Sequence, residues 1–182
     1  SRSLGTRGPQ GAGLCAELGL TDRVHFITAS LAKAFAGRAG FFTIPAAMRY
    51  YVLHNSYPNI FSSCLLPHEI AGLAATLEVI RGCDAERVRL HANTRRLRAS
   101  LSGMGYPIHQ GCQQIIALET GTEPATMVLR DHLEAHQIFG AIFCAPATSR
   151  NRAMVRLTLN AGLTGAEMDR IEQTAQILVP VL

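Results

Sequence analysis

Lysine is almost absent from this chain: of its 182 residues, sixteen are arginine and only one, Lys33, is lysine. Tryptophan is absent as well, and aromatic residues make up only 6% of the chain. No apolar run approaches the roughly 20 residues that a membrane-spanning helix needs, so we expect no membrane span. The hydrophobic content of 48% is enough for a real core and excludes an intrinsically disordered chain.

Cysteine pairs with disulfide or metal-ligand spacing are missing too. The cysteines are scattered, contain no C-x-x-C motif and are odd in number, which predicts a reducing, cytoplasmic compartment rather than a disulfide scaffold or zinc ribbon. The five cysteines are Cys15, Cys64, Cys83, Cys112 and Cys144.

His132 and His136 are spaced i, i+4, but Glu134 is not where a zinc-binding H-E-x-x-H helix has its glutamate, so we predict an exposed pair and no metal site.

The formal charge of +4 comes with a cluster of arginines on one predicted helix. Apolar residues share this stretch, so we predict that the arginines line the solvated polar face of an amphipathic helix. They are Arg87, Arg89, Arg95, Arg96 and Arg98. No aromatic residues interleave with them and no DNA-binding motif is present, so nucleic acid is not expected as a partner.

The hydrophobic pattern divides the chain within the long arginine-rich helix. Beyond residue 105 the predicted order is strand, helix, strand, strand, helix, which is typical of a small α+β unit. We therefore predict two domains, 1–90 and 91–182, and a loop or extended segment at 57–64. The predicted strands are 23–28, 39–44, 114–118, 141–144 and 154–159, and the predicted helices are 14–18, 46–53, 67–81, 84–103, 124–137 and 165–179.

Four glycines lie at short intervals near the start of the chain, at Gly5, Gly8, Gly11 and Gly13. No Gly-Lys-Ser/Thr follows them, so the loop is not a P-loop, and their order differs from that of the dinucleotide-binding fingerprint. A tight structural turn is the favoured interpretation, with a phosphate cradle as the alternative.

Lys33 lies in a segment rich in alanine and glycine, close to the hydroxyl groups of Thr28, Ser30 and Thr43. Apolar surroundings favour the neutral amine of a lysine, and a neutral amine is what a Schiff-base nucleophile requires. A surface lysine without a catalytic role fits the spacing equally well, so both interpretations stay open at this point.

Four segments, in order, resemble conserved elements of the α-oxoamine synthases, a family of fold type I enzymes that use pyridoxal 5'-phosphate (PLP). The segment around Lys33 is similar to the family's lysine segment, and the glycine loop is similar to the H-S-x-G-x-x-G-x-x-G-x-G loop upstream of that lysine. The other two resemble the family's F-[ST]-x-S-L-x-P and R-x-x-x-S-A-x-H-T elements. The matching segments are TASLAKAFAG (28–37), SLGTRGPQGAG (3–13), FSSCLLP (61–67) and MVRLTLNAGLT (154–164).

The resemblance implies an α/β fold, in which the C-terminal part of the PLP-binding large domain is followed by a small α+β domain. It implies that Lys33 binds PLP and acts as acid and base, and that Ser30 binds the cofactor phosphate. Ser62 or Ser63 would reach the phosphate of the partner subunit, because family sites form across a homodimer interface. Arg156 would bind the carboxylate of the amino-acid substrate.

The implied reaction condenses an amino acid with an acyl-CoA to an α-aminoketone, with loss of CO2 and CoA. The sequences of residues 5–14 and 49–73 most resemble those of the quorum-sensing autoinducer synthases. An enzyme like 8-amino-7-oxononanoate synthase or 2-amino-3-ketobutyrate CoA ligase is one alternative, and a non-catalytic, dimerising fragment is another.

The chain departs from the family pattern at two positions. Arg2 stands where the family has a histidine that bonds the cofactor's ring hydroxyl, and Leu163 stands where it has the late histidine. The resemblance implies that the family's aspartate for the pyridinium nitrogen would come immediately before Ser1. The sequence also opens without methionine, on a loop that normally follows other elements. We therefore expect a piece of a longer chain that is inactive alone.

Overall fold

A computed structural model of the protein describes residues 2–108, 111 and 113–178. The chain forms two compact units, Ser1–Arg87 and Val88–Leu182. Cys112 and the predicted end of the last helix at residue 179 lie outside the described residues. No helix in the described part of the chain is both long and apolar enough to cross a membrane.

The first unit is built from short elements around one antiparallel strand pair. Ile27 of the first strand lies opposite Thr43 of the second, and Ser30 lies opposite Gly40. The elements are a 3-10 turn (Pro9–Gly11), α1 (Leu14–Glu17), a 3-10 turn (Thr21–Arg23), β1 (Ile27–Ser30), β2 (Gly40–Thr43), a 3-10 turn (Ala46–Met48), α2 (Arg49–Asn55), α3 (Tyr57–Phe61), α4 (Pro67–Gly82) and the start of α5 (Asp84–Gly103). The first strand begins later than predicted, because its bounds are set by pairing with β2.

The prediction of a loop or extended segment over residues 57–64 is wrong for its first half. Helix α3 forms there, with Pro58 in its first turn, where a proline ring fits because the first helical N–H groups have no partner within the helix. The predicted helix that starts at Pro67 is confirmed as α4. Its first turn is closed by Glu69, whose carboxylate accepts a hydrogen bond from the backbone N–H of Leu66 at 2.7 Å.

Helix α5 crosses the division between the two units. The prediction that its arginines line a solvated face is wrong for Arg87, while Arg89, Arg95 and Arg96 are exposed. Arg87 is only 7% exposed. Its guanidinium donates to the carbonyl oxygens of Ile80 at 2.6 Å and Gly5 at 3.4 Å, and to the Asp84 carboxylate at 2.6 Å. Five donors in a planar fork let one arginine bind several acceptors at once, and these bonds account for its burial.

Two further arginines of α5 bind other elements of the second unit. Arg96 forms ion pairs with Asp169 and Glu172, the latter at 2.8 Å. Arg98 is half-buried and donates to the carbonyl oxygen of Ile115 at 2.6 Å. Arg87, Arg96 and Arg98 therefore make structural contacts that the sequence pattern alone did not reveal.

Within the described residues, the second unit has three helices and a three-stranded antiparallel sheet. After the rest of α5 come β3 (Ile115–Gly121), α6 (Glu123–Ala135), β4 (Ala141–Phe143), β5 (Ala153–Thr158) and α7 (Gly165–Leu178). The strand order is β3-β5-β4, so β5 is the central strand. The predicted order of strand, helix, strand, strand, helix is confirmed.

One face of this sheet packs into the hydrophobic core. Alternate residues of β5, Val155 and Leu157, are buried there, while Met154 and Arg156 on the opposite face are half-buried. The remaining core residues come mainly from α5, α6, α7 and β3, and they are Leu90, Leu97, Leu101, Tyr106, Ile116, Leu118, Leu129, Leu133, Ile138, Leu159, Met168 and Ala175. The sheet thus holds Arg156 on the face opposite its core.

The turn between β5 and α7 is fixed by a reciprocal helix cap. The Glu167 carboxylate accepts hydrogen bonds from the backbone N–H of Thr164 at 2.7 Å and from its hydroxyl at 2.8 Å. These bonds favour the ionised carboxylate and lower the pKa of Glu167 below its ordinary value. The cap holds the chain just after the strand that carries Arg156.

The burial of Arg87 leads to a stability prediction. Replacing Arg87 with lysine keeps the charge but removes the planar fork. The partly buried carbonyl oxygens of Gly5 and Ile80 then lose their donors, so the free energy of unfolding should fall by about 1–3 kcal/mol. Urea denaturation followed by circular dichroism measures the change. Arg95→Lys is the matched control, because Arg95 is exposed on the same helix. Equal stability of the two variants would contradict a structural role for Arg87.

Candidate functional site

Lys33 lies in the loop that connects β1 to β2, and backbone hydrogen bonds close the base of this loop. The N–H of Leu31 donates to the carbonyl of Ala39 at 2.8 Å, and the N–H of Gly37 donates to the carbonyl of Leu31 at 3.0 Å. The carbonyl of Lys33 itself accepts from the N–H of Ala36 at 3.0 Å, which turns the chain directly after the lysine. The paired strands therefore fix the backbone on both sides of Lys33.

The side chain of Lys33 is exposed. An amine in apolar surroundings was one expectation from the sequence, and the described residues do not bury it. The side chains of residues 28–37 are for the most part those of small residues, and they are too short to enclose a four-carbon side chain. Its amine is therefore accessible from solvent.

The glycine loop is a compact turn, as predicted. Its backbone closes on itself, since the N–H of Gly5 donates to Gly11 and the N–H of Gly13 donates to Arg7, both at 2.7 Å. Gly5, Gly8, Gly11 and Gly13 all have positive φ angles, between 75° and 96°. Only glycine adopts this left-handed region without strain, which explains the glycine spacing without a bound phosphate.

The glycine loop lies directly against the lysine segment. A Cβ atom placed on Gly5 would lie 2.6 Å from the Cβ of Ala34, the residue after Lys33. A Cβ on Gly11 would lie 3.1 Å from the Nη1 of Arg87. The loop therefore sits between the buried guanidinium and the lysine segment, and side chains at either glycine would separate them.

Among the hydroxyl groups near Lys33, the structure gives different roles to Ser30 and Thr43. Ser30 ends β1, is half-buried, and its Oγ accepts a hydrogen bond from the N–H of Ala32 at 3.2 Å. Thr43 lies at the other end of the strand pair, where its Oγ1 accepts from the N–H of Ile27 at 3.1 Å. Ser30 and Lys33 thus share one short loop, and Thr43 stabilises the hairpin.

Ser62 and Ser63 lie at the C-terminal end of α3, and both are exposed. The hydroxyl of Ser62 donates to the carbonyl of Pro58 within that helix. These two serines belong to a different segment of the first unit from the β1–β2 loop.

Arg156 lies at the middle of the central strand of the second unit. Its neighbours across the sheet are Ala117 on β3 and Ala141 on β4. The guanidinium carbon of Arg156 lies 4.2 Å from the ring centroid of Phe143, so the two groups form a cation–π contact. Sequence reasoning missed Phe143, because only the register of β4 against β5 brings it near Arg156.

A bidentate ion pair lies on the same face of the sheet. Arg152 donates through Nε and Nη2 to the two carboxylate oxygens of Glu119, at 2.8 and 2.7 Å. The hydrogen bonds and charge of Glu119 raise the pKa of Arg152 above its ordinary value. This pair shows the geometry in which a guanidinium binds a carboxylate.

The histidine pair lies at the end of α6. His132 and His136 are exposed, and His136 Nδ1 lies 2.8 Å from the carbonyl oxygen of His132. Within the residues that the structure describes, no group of three or more histidine, cysteine or acidic side chains is placed to hold a metal ion.

A family model described as aminotransferase class I and II matches residues 5–173. The chain is 44% identical over 176 residues to the CAI-1 autoinducer synthase of Vibrio campbellii, covering 97% of this chain and 44% of that protein. It is 28% identical over 169 residues to the 8-amino-7-oxononanoate synthase of Anaeromyxobacter dehalogenans, covering 93% of this chain and 43% of that one. The chain thus spans less than half the length of these relatives.

Solved structures share the fold. A serine palmitoyltransferase from S. paucimobilis, solved with a bound PLP–myriocin aldimine, matches with a TM-score of 0.91 at 22% identity. The match covers 100% of this chain and 47% of that one. The fold predicted from the sequence and the resemblance to the α-oxoamine synthases are both confirmed.

The close approach of the glycine loop to the lysine segment leads to a second prediction. Gly5→Ala should lower the free energy of unfolding by about 2 kcal/mol or more, because it combines a left-handed φ with a clash at Ala34. Gly72→Ala is the matched control: Gly72 lies within α4 with open space where a Cβ would lie, and alanine should stabilise that helix by about 0.5–1 kcal/mol. Chemical denaturation of both variants measures the difference, and a neutral Gly5→Ala would contradict the contact.

Proposed function

The chain belongs to the aminotransferase class I and II family, and from that premise we propose that the intact protein is a PLP-dependent acyltransferase. The reaction joins an amino acid to an acyl-CoA and releases CO2, CoA and an α-aminoketone. The identity of 44% to an autoinducer synthase, against 28% to an 8-amino-7-oxononanoate synthase, favours autoinducer synthesis as its role. Because the chain spans less than half of each relative, the activity is proposed for the intact protein.

The position of the only lysine carries this proposal. Lys33 is exposed in a loop that is closed at its base by two strands and pressed by the glycine loop at Ala34. A surface lysine without a role needs no such support. An amine that must reach one atom of a cofactor needs a fixed backbone, and this loop supplies it.

Lys33 and the serines of the first unit fit PLP. Lys33 offers an accessible amine for a covalent bond to the cofactor, and Ser30, three residues earlier, offers a half-buried hydroxyl for its phosphate. Ser62 or Ser63, both exposed, would bind the phosphate in the partner subunit. When bound, PLP withdraws electrons from the substrate and so stabilises negative charge at its α-carbon.

Lys33 and Arg156 have different proposed roles towards the substrate. The Nζ of Lys33 takes a proton from the α-carbon of the amino acid and later returns one, and such general acid–base catalysis contributes roughly 10²–10⁴-fold in rate. Arg156 binds the substrate carboxylate through the edge of its guanidinium, a bidentate geometry that an ammonium cannot provide.

We propose that the intact protein is a homodimer. Large aromatic side chains of α2 and α3 are exposed, with 76% of Tyr50, 74% of Tyr57 and 79% of Phe61 accessible. Exposed apolar clusters of this kind mark interaction surfaces, and a second copy would cover them while supplying Ser62 or Ser63 to the shared site.

The cysteines of the described residues are free thiols, which fits a cytoplasmic location.

The role of Lys33 is tested in the intact protein with Lys33→Ala and the charge-matched Lys33→Arg. Both variants should lose the yellow absorbance of bound PLP and its fixation by borohydride, because neither side chain forms the covalent bond. Visible spectra and mass spectrometry of the reduced protein measure this. An unchanged spectrum in either variant would refute the proposed cofactor site, and a colourless parent that still dimerises would favour the non-catalytic alternative.

The role of Arg156 is tested with Arg156→Lys, which keeps the charge but loses the bidentate fork. The KM for the amino acid should rise by about tenfold or more, while the KM for the acyl-CoA stays unchanged. Steady-state kinetics with a panel of amino acids and acyl-CoA chain lengths also separates autoinducer synthesis from the 8-amino-7-oxononanoate and 2-amino-3-ketobutyrate alternatives. An unchanged amino-acid KM would contradict carboxylate binding by Arg156.

A further inference from the structure

The face of the sheet opposite the core is arranged around Arg156. The side chains directly across from it on the two neighbouring strands, Ala117 and Ala141, are both small. Two residues further along β4, Phe143 lies opposite Met154, on the same face as Arg156. The alanines leave room for the guanidinium to extend over the sheet, and the first large side chain that it meets on β4 is the phenyl ring.

The guanidinium of Arg156 lies over the ring of Phe143. The guanidinium carbon lies 4.2 Å from the ring centroid, which is the separation of two groups in van der Waals contact. The side chain of Arg156 is half-buried, so the ring shields part of the guanidinium from water. A cation–π contact of this kind strengthens as solvent is excluded.

The chemistry of the two groups explains why a ring is useful here. All five N–H donors of a guanidinium lie in its plane, so a ring that covers one face leaves the donors at the edge available. A carboxylate behaves differently, as Glu119 illustrates, because its two oxygens bind two donors of Arg152. Phenylalanine therefore restrains the orientation of a guanidinium without occupying its N–H donors or neutralising its charge.

We propose that Phe143 is a positioning residue for substrate binding. By holding the plane of the Arg156 guanidinium, it presents the N–H edge to the carboxylate of the amino-acid substrate. This inference rests on the proposed function, in which Arg156 binds that carboxylate. The restraint lowers the conformational entropy that Arg156 loses on binding, so Phe143 acts on substrate affinity and not on the chemical step.

The kinetic test compares Phe143→Leu, which removes the ring, with Phe143→Tyr, which keeps it. In the intact protein, Phe143→Leu should raise the amino-acid KM by roughly fivefold to tenfold with little change in kcat, the size expected for losing one cation–π contact. Phe143→Tyr should leave the amino-acid KM at the value of the parent protein, because tyrosine keeps the ring. Phe139→Leu is the matched control, because Phe139 is 77% exposed and lies outside the strands. Phe143→Met gives the same test if the leucine variant does not fold.

A second measurement reports the contact without turnover. Protons over the face of an aromatic ring resonate upfield, so the Arg156 Nε–Hε signal, assigned by its loss in Arg156→Lys, should lie upfield in the ¹⁵N-correlated NMR spectrum. Phe143→Leu should move this signal downfield, while Phe143→Tyr and Phe139→Leu should leave it in place. A merely structural role for Phe143 would not produce this pattern together with a selective change in KM.

The outcomes separate the inference from the function on which it rests. If Arg156→Lys raises the amino-acid KM but Phe143→Leu leaves both KM and the NMR signal unchanged, the positioning role is overturned and the proposed function stands. If Arg156→Lys leaves the KM unchanged, substrate binding by Arg156 fails, and the positioning role fails with it. A rise in KM with Phe143→Leu that Phe143→Tyr does not reverse would also overturn the positioning role.

Discussion

The buried guanidinium of Arg87 is the contact on which the first unit depends. Its donors bind the carbonyl oxygens of Gly5 and Ile80 and the carboxylate of Asp84, so one side chain joins the glycine loop, the end of α4 and the start of α5. Buried carbonyl groups need donors, and a charge that is taken out of water needs acceptors. Both needs are met at one position, and the glycine loop is held there against the lysine segment.

This arrangement gives a physical reason for the unusual basic composition. Arginine at position 87 serves as a multiple donor, and the guanidinium of Arg156 lies over the ring of Phe143. We expect lysine to replace neither without loss. Position 33 has the opposite requirement, because only an amine can form a covalent bond to a carbonyl compound such as the proposed cofactor. At positions 33, 87 and 156, the choice between lysine and arginine therefore follows the chemistry that each position requires.

The sequence was most informative where a local rule governs the structure. Positive φ angles at Gly5 and Gly11 explain the glycine spacing, Pro67 starts a helix, and alternation marks β5 as a strand with one buried face. It failed where distant segments decide the outcome. Arg87 was expected at the surface because its partners at Gly5 and Ile80 cannot be recognised from helical periodicity, and helix α3 was missed because a proline near its start resembles a loop signal.

The amino-acid sequence by itself determined the family, the fold class and the identity of the candidate lysine, because these depend on motifs in which residue type and spacing are enough. Tertiary structure alone decided that Lys33 is exposed, that Gly5 approaches Ala34, and that the guanidinium of Arg156 lies over the ring of Phe143. The reason is that strand register and side-chain packing depend on hydrogen bonds and contacts between residues far apart in the chain. A sequence pattern records which residues are present, and only the folded backbone determines which of them meet.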